Sequence, residues 1–269
     1  MCIVLLAEGI IKQLKVDGCV LGITSVDDEM FLLLYRVENQ VPVHSIKDHR
    51  LLRHLNIPGY KPNYFSDMTA CERRRCLYMS DNGNYCIRRY DLAHGAAPRW
   101  VVSGSPVGLS LTPSGNLLVT CDEPNKLVEL SGDSGPPVRE ITLQADIESL
   151  SHSVQLTTGQ FIFCFGLTDL HQVCVVGDDG KATMSYGGKP GSDVGQLNCP
   201  CHLAVDKESQ SIFVADRDNH RVVMLSPTLE SVRCISEKLP CPLRLYFHDS
   251  KQCLYVGHLH IGDVTIIQL

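Results

Sequence analysis

Short apolar runs alternate with polar turns along almost the whole chain, and the alternation repeats. Each copy is an apolar strand, a polar turn and a second apolar strand. The pairs are Met30–Tyr35 with Val41–Ile46, Cys76–Ser80 with Cys86–Leu92, Leu117–Cys121 with Lys126–Leu130, Phe161–Phe165 with Gln172–Val176, Ile212–Ala215 with Arg221–Leu225, and Leu254–Gly257 with Asp263–Leu269. The turns begin at Arg36, Asp81, Asp122, Gly166, Asp216 and His258, at spacings of 45, 41, 44, 50 and 42 residues. Apolar runs this short, bounded by Gly, Asp and Pro, read as strands rather than helices.

A period of about 40–45 residues with four strands per unit is the signature of a propeller. The two remaining strands of each unit are legible. Inner strands precede the pairs at Cys19–Val26, Tyr64–Cys71, Pro106–Thr112, Ser151–Thr157, Pro200–Val205 and Pro242–Phe247. Outer strands follow them at Leu51–Ile57, Arg99–Val102, Arg139–Leu143, Ala182–Tyr186 and Ser231–Ile235. The sixth unit has no outer strand after it, while Ile11–Val16 precedes the first unit without a partner there. The pattern therefore predicts an all-β fold: a six-bladed β-propeller of four-stranded blades, its ring closed by an N-terminal strand. Closure removes the open edges that otherwise invite aggregation. The blades fall at about 17–57, 58–103, 104–143, 144–187, 198–236 and 240–269 plus 11–16, in one domain spanning 1–269.

Composition adds limits. The 269 residues carry a net charge of −6, with no global pull toward nucleic acid or an anionic membrane. The charge is uneven: residues 45–99 hold ten Lys/Arg against five Asp/Glu, and residues 101–269 hold eleven against nineteen. The 13 cysteines are odd in number and scattered, which is unlike a disulfide framework in a short secreted chain. No run approaches a membrane span, and the apolar stretch near the N-terminus is too short for a signal sequence. Reduced thiols and a cytoplasmic location follow as expectations, with no membrane partner.

The fifth unit, Ile212-Phe-Val-Ala-Asp-Arg-Asp-Asn-His-Arg-Val-Val-Met-Leu225, closely resembles the NHL repeat. Asp81 and Asn84 in the second unit, and Asp122 and Asn125 in the third, match the same motif, and Gly195–Asp206 is similar to the family's inter-blade link. The first, fourth and sixth units keep only the hydrophobic pattern. The motif residues Asp81, Asp122, Asp216, Asn219, His220 and Arg221 read as turn architecture. Asp216 accepts backbone N–H groups, Asn219 supplies the left-handed residue that ends the turn, and Arg221 pairs with Asp216.

No cofactor or metal is expected. His258 and His260 share a turn and could reach an axial ion, but a metal needs three or four ligands and solvated turn residues are the simpler account. Cys199-Pro-Cys201-His202 lacks the second ligand pair of a structural zinc site, and a strand points Cys201 and His202 to opposite faces. Cys71 and Cys76 flank a turn and read as buried thiols. Arg73, Arg74 and Arg75 lie on the face opposite the turn histidines, so the basic residues do not form one nucleic-acid footprint. No nucleophile elbow or phosphate-binding loop is present.

The resemblance implies an interaction module, since NHL propellers often form the target-binding end of tripartite-motif ubiquitin ligases. A protein partner is therefore the first expectation and a non-catalytic binding platform the first function. RNA is the second partner class, motivated by the basic surplus at 45–99; no DNA is expected. A propeller enzyme of lyase or lactonase type comes third, because no ligand set for its metal can be assembled. The six turns between second and third strands differ most between units and gather on one face, a natural recognition surface. Its candidate contacts are Asn84, Tyr85, Lys126, His171, Arg217 and His258.

Overall fold

A computed structural model of the chain describes residues 9–95, 98–144, 147, 149–166, 169–230, 232–236, 238–260 and 262–269. Within it, twenty-four strands form six four-stranded antiparallel sheets, and the only helical pieces are three single 3-10 turns. The inner strands are Val20–Val26, Met68–Cys71, Pro106–Leu111, Leu150–Gln155, Pro200–Val205 and Pro242–His248. Each touches the inner strands of the blades before and after it, so the six close a ring around a central axis. This is the six-bladed β-propeller that the period predicts.

The ring is closed by Gly9–Lys15, which pairs antiparallel with Asp263–Gln268 as the outer strand of blade six. The predicted segment began at Ile11; residues 1–8 lie outside the described residues.

Both faces of a blade are covered by its neighbours, which explains the continuous apolar runs of the second strands. Every residue of Cys76–Asp81, Phe161–Phe165, Ile212–Asp216 and Cys253–His258 is buried. The outer strands lie at the rim; in Leu51–Asn56 only Leu55 is buried. All twelve described cysteines are free thiols, nine of them buried, Cys19 and Cys241 half-buried and Cys234 exposed. No helix among the described residues is long and apolar enough to cross a membrane.

One predicted boundary is wrong in an informative way. The inner strand of blade two begins at Met68, not Tyr64. Residues 58–67 form an irregular link held by local bonds. Asn63 Oδ1 accepts from the Phe65 N–H at 3.0 Å, and Ser66 Oγ accepts from the Asn63 N–H at 3.0 Å. Aromatic residues have high strand propensity, but these local polar bonds outcompete it.

Candidate functional site

The inner strands of five blades share a register shift just after their first residue. It falls at Val20/Gly22, Pro106/Gly108, Leu150/His152, Pro200/His202 and Pro242/Arg244. Such a bulge re-aims the side chain that follows it. In blades four, five and six that residue is His152, His202 or Arg244, and all three converge on Asp67, which precedes the inner strand of blade two. In blades one and three it is glycine. A Cβ on Gly22 would meet Met68 Cβ at 2.9 Å, and one on Gly108 would meet the Ser151 carbonyl at 2.8 Å. Glycine there lets neighbouring blades approach closely while larger polar residues fill the axis.

The four side chains are 1–7% exposed. They bind the inward backbone edges of blades other than their own. Arg244 donates through Nε to the Leu21 carbonyl at 2.7 Å and through Nη2 to the Ser66 carbonyl at 3.2 Å, and its Nε lies 3.5 Å from Asp67 Oδ1. Asp67 Oδ2 accepts from the Leu109 N–H at 2.8 Å. His152 Nδ1 accepts from the Leu203 N–H at 3.4 Å, and its Nε2 donates to the Leu109 carbonyl at 3.1 Å. His202 Nδ1 accepts from the Leu245 N–H at 3.3 Å. The two imidazoles stack with centroids 3.7 Å apart at 25°, and each Nε2 lies 3.6 Å from Asp67 Oδ2. These bonds lace all six blades together across the axis.

Burial pushes His152 down to about 3, reinforced by His202 and only partly opposed by Asp67. Burial likewise lowers His202. For Asp67 burial acts upward, but His202, Arg244 and His152 outweigh it and hold the carboxyl well below the usual range. At neutral pH the plug is thus an Asp67–Arg244 ion pair with two neutral imidazoles.

Asp67, His152 and His202 also form the one group among the described residues whose donor atoms lie close enough to surround a metal ion. Their arrangement does not fit one. Both Nδ1 atoms accept backbone N–H groups, which places the proton of each neutral ring on Nε2, the atom that would have to ligate. Histidine ligands ordinarily donate the other ring N–H to an acceptor. The Arg244 guanidinium supplies the positive charge that Asp67 requires.

On one side the plug floors a funnel of about 1080 Å³. The funnel opens among the turns between first and second strands. On the other side lies the link of blade two. Burial, the largest influence, raises the phenol of Tyr64 there. Tyr64 packs edge-on against Tyr35 at 6.5 Å and against Phe65 at 5.7 Å, and Arg36 stands 5.1 Å over the Tyr35 ring. Phe65 and Tyr85 remain 49% and 54% exposed.

The motif residues hold turns and links. Asp216, fully buried, accepts from the Asn198 N–H at 2.6 Å, Asn219 Nδ2 at 2.8 Å and Arg221 Nε at 2.7 Å, while Arg221 reaches the Ser192 and Gln196 carbonyls. Asp81 repeats the pattern with Asn84 and Arg88, and Arg88 binds the Pro58 and Gly59 carbonyls. The left-handed residue is not Asn219 but His220, at φ 55°, and in blade two it is Tyr85, at φ 51°. Asn219 is instead the last residue of a 3-10 turn, which keeps its amide on Asp216. Asp122 opens a tight turn to Asn125, and Lys126 bonds Glu140 and Ser103 rather than Asp122.

The candidate contacts separate. Asn84 and Tyr85 are exposed, and Arg217 is half-buried and paired with Asp218 at 2.8 Å. Lys126 and His258 are buried, His258 Nε2 bonding Thr265 Oγ1 at 2.7 Å, so neither presents itself to a partner. That burial also removes His258 from any axial ion site shared with the exposed His260. His171 and His220 accept the Cys199 and Cys241 N–H groups through Nδ1 and serve the blade links. Of the basic run, Arg74 holds Asp133 and the Gly115 carbonyl, and Arg75 pairs with Asp27. Cys201 donates toward the Pro242 and Leu243 carbonyls while His202, next to it, enters the plug. The plug lies on the inner strands, away from the turns that carry the candidate contacts. Superposing the six inner strands, with Pro106, Pro200 and Pro242 as the guide, brings Gly22, Gly108, His152, His202 and Arg244 into one register.

The fold and its axial plug define the class as a six-bladed propeller, and solved structures agree. The chain is similar to a Bacteroides thetaiotaomicron protein of unknown function, at TM-score 0.74 and 13% identity over 97% of this chain and 72% of that one. It is also similar to Kuenenia stuttgartiensis hydrazine synthase, at TM-score 0.67 and 12% identity over 97% and 98% of the two chains. Virginiamycin B lyase from Staphylococcus aureus aligns at TM-score 0.66 and 12% identity over 96% and 98%. At such identities the likeness is one of fold. No protein-family model matches the sequence, and no curated protein matches it.

Proposed function

We propose that this chain is a non-catalytic, NHL-like interaction platform of the cytoplasm that binds a protein partner on the face carrying the turns between second and third strands. The observation that supports this most is the aromatic ridge Tyr35–Tyr64–Phe65 at the link of blade two, with Arg36 over the Tyr35 ring and the exposed Tyr85 on a turn of the same face. Aromatic and Arg side chains dominate binding energy at protein interfaces. Tyr64 and Phe65, 36% and 49% exposed, together leave apolar surface open to a partner. The RNA reading weakens because Arg74 and Arg75 are engaged by acids.

Photo-crosslinking from position 65 in the native cytosol tests this. A discrete protein adduct that disappears with Tyr64→Ser/Phe65→Ser, at unchanged melting temperature, supports the platform. Labelling no stronger than from the exposed Val101 on the blade rim, or an adduct that ribonuclease abolishes, overturns it.

A further inference from the structure

The funnel on the opposite face has a composition of its own. Its charged residues, among them Asp28, Glu72, Arg73 and Lys251, all sit in the turns at the rim and carry both signs. The wall between rim and plug has no charged side chain. It is built of aliphatic residues interleaved with hydroxyls, including Thr24, Thr69 and Ser110. The Ser110 hydroxyl oxygen is buried and has no hydrogen-bond partner.

The backbone adds to the polar supply. In an edge strand, alternate residues direct both N–H and C=O away from the neighbouring strand. Leu109, Leu203 and Leu245 do so, since their N–H groups meet Asp67, His152 and His202 in the plug. Two residues further along the same strands, Leu111, Val205 and Phe247 direct theirs into the funnel, whose wall they form. The result is a ring of donors and acceptors set in apolar surface. A cavity of this size, mostly apolar with a few placed polar groups, is the usual form of a small-molecule site.

We propose that this funnel is a binding site for a neutral, polyhydroxylated small molecule of mono- to trisaccharide size. An ionised ligand would lose its hydration against an uncharged wall without gaining a counter-charge, which is costly. A purely apolar ligand would leave the inward backbone groups and Ser110 without partners. A polyol satisfies both demands: hydroxyls meet the backbone ring and Ser110, and its C–H faces meet the aliphatic wall. The stacked imidazoles close the bottom and fix the depth.

The test is saturation-transfer NMR on the intact chain with glucose, trehalose and maltotriose, beside the charged analogues gluconate and glucose 6-phosphate. The expected result is saturable binding of at least one neutral probe at millimolar concentration, with the charged analogues at least tenfold weaker. Ala70→Trp, which fills the funnel, weakens binding at least tenfold. Ser110→Ala weakens it about fivefold, the loss of one neutral hydrogen bond, and remains informative if Ala70→Trp does not fold. Tyr64→Ser/Phe65→Ser on the other face leaves it unchanged, so this proposal and the protein-binding one fail separately. No retention of any neutral probe, equal binding of the charged analogues, or binding indifferent to Ser110→Ala overturns the assignment.

Discussion

His152 and His202 stack face to face at 3.7 Å, each with its Nε2 3.6 Å from the same oxygen of Asp67. Two rings so close to one another and to the Arg244 guanidinium are tolerable only while both are neutral. In the folded protein they titrate below their ordinary value, His152 at about 3. In the unfolded chain they titrate near 6.5. Below that value the unfolded state binds more protons, so stability is complete above about pH 6.5 and is lost as pH falls toward 3. Each histidine contributes up to about 1.4 kcal/mol per pH unit in that window. Urea unfolding at pH 7.5, 6 and 5 should show the loss, and His152→Asn/His202→Asn should flatten it. Stability that does not change from pH 7.5 to 5 would sink the neutral-pair account.

Arg244 and Asp67 are each other's only formal charges inside the plug. Arg244→Ala leaves the buried Asp67 carboxylate without its cation and removes the guanidinium donor of the Leu21 and Ser66 carbonyls, an expected loss of about 3–5 kcal/mol. Arg244→Lys should recover little, because an ammonium cannot reach the Leu21, Leu243 and Ser66 carbonyls in the fork that guanidinium makes. Asp67→Asn/Arg244→Met removes both charges and should be more stable than Arg244→Ala alone. Chemical denaturation of the wild type, Asp67→Asn, Arg244→Met and their double variant measures this coupling directly. Additive losses would mean that the two residues do not act as a pair.

The repeat motif is a link between blades wherever its arginine is present. Asp216→Ala removes the acceptor of Asn198, Asn219 and Arg221, and an expected loss of about 3 kcal/mol follows from the unpaired guanidinium. Asp122 lacks such an arginine, and Asp122→Ala should stay within about 1 kcal/mol. Similar losses at the two sites would contradict this difference.

The strands and their ring order were legible because both rest on local patterning and on a repeat that no helix or sandwich produces. The plug was not, because Asp67, His152, His202 and Arg244 stand in four different units and share no motif. The common register of His152, His202 and Arg244 depends on a bulge in the inner strand, which a hydrophobic pattern does not reveal. His258 and Lys126 looked like surface residues for a related reason. A polar side chain at a turn is read as solvated, and only tertiary partners, Thr265 and Glu140, show that it is buried. Tyr64 differs in the opposite direction: its aromatic run reads as strand, while short-range bonds among Asn63, Phe65 and Ser66 hold it in the link.

Ring closure gives the last prediction. Gly9–Lys15 covers the edge of Asp263–Gln268, whose Asp263, Val264, Thr265, Ile266 and Ile267 are buried. Lys15 Nζ meets Asp263 Oδ2 at 2.6 Å, the lysine largely in solvent and the aspartate 2% exposed. Deleting residues 1–15 uncovers a strand edge and leaves that carboxylate without its cation. For a chain of this size each kcal/mol lost lowers the midpoint by about 2–4 °C, so several kcal/mol correspond to a fall of about 10 °C. The bare edge should also drive concentration-dependent association, visible by light scattering. A synthetic peptide of residues 1–16 added in trans should restore both the midpoint and the light scattering of the full chain, whereas a scrambled peptide should not. If the truncated chain melts where the full chain does, the N-terminal strand does not close the ring in solution.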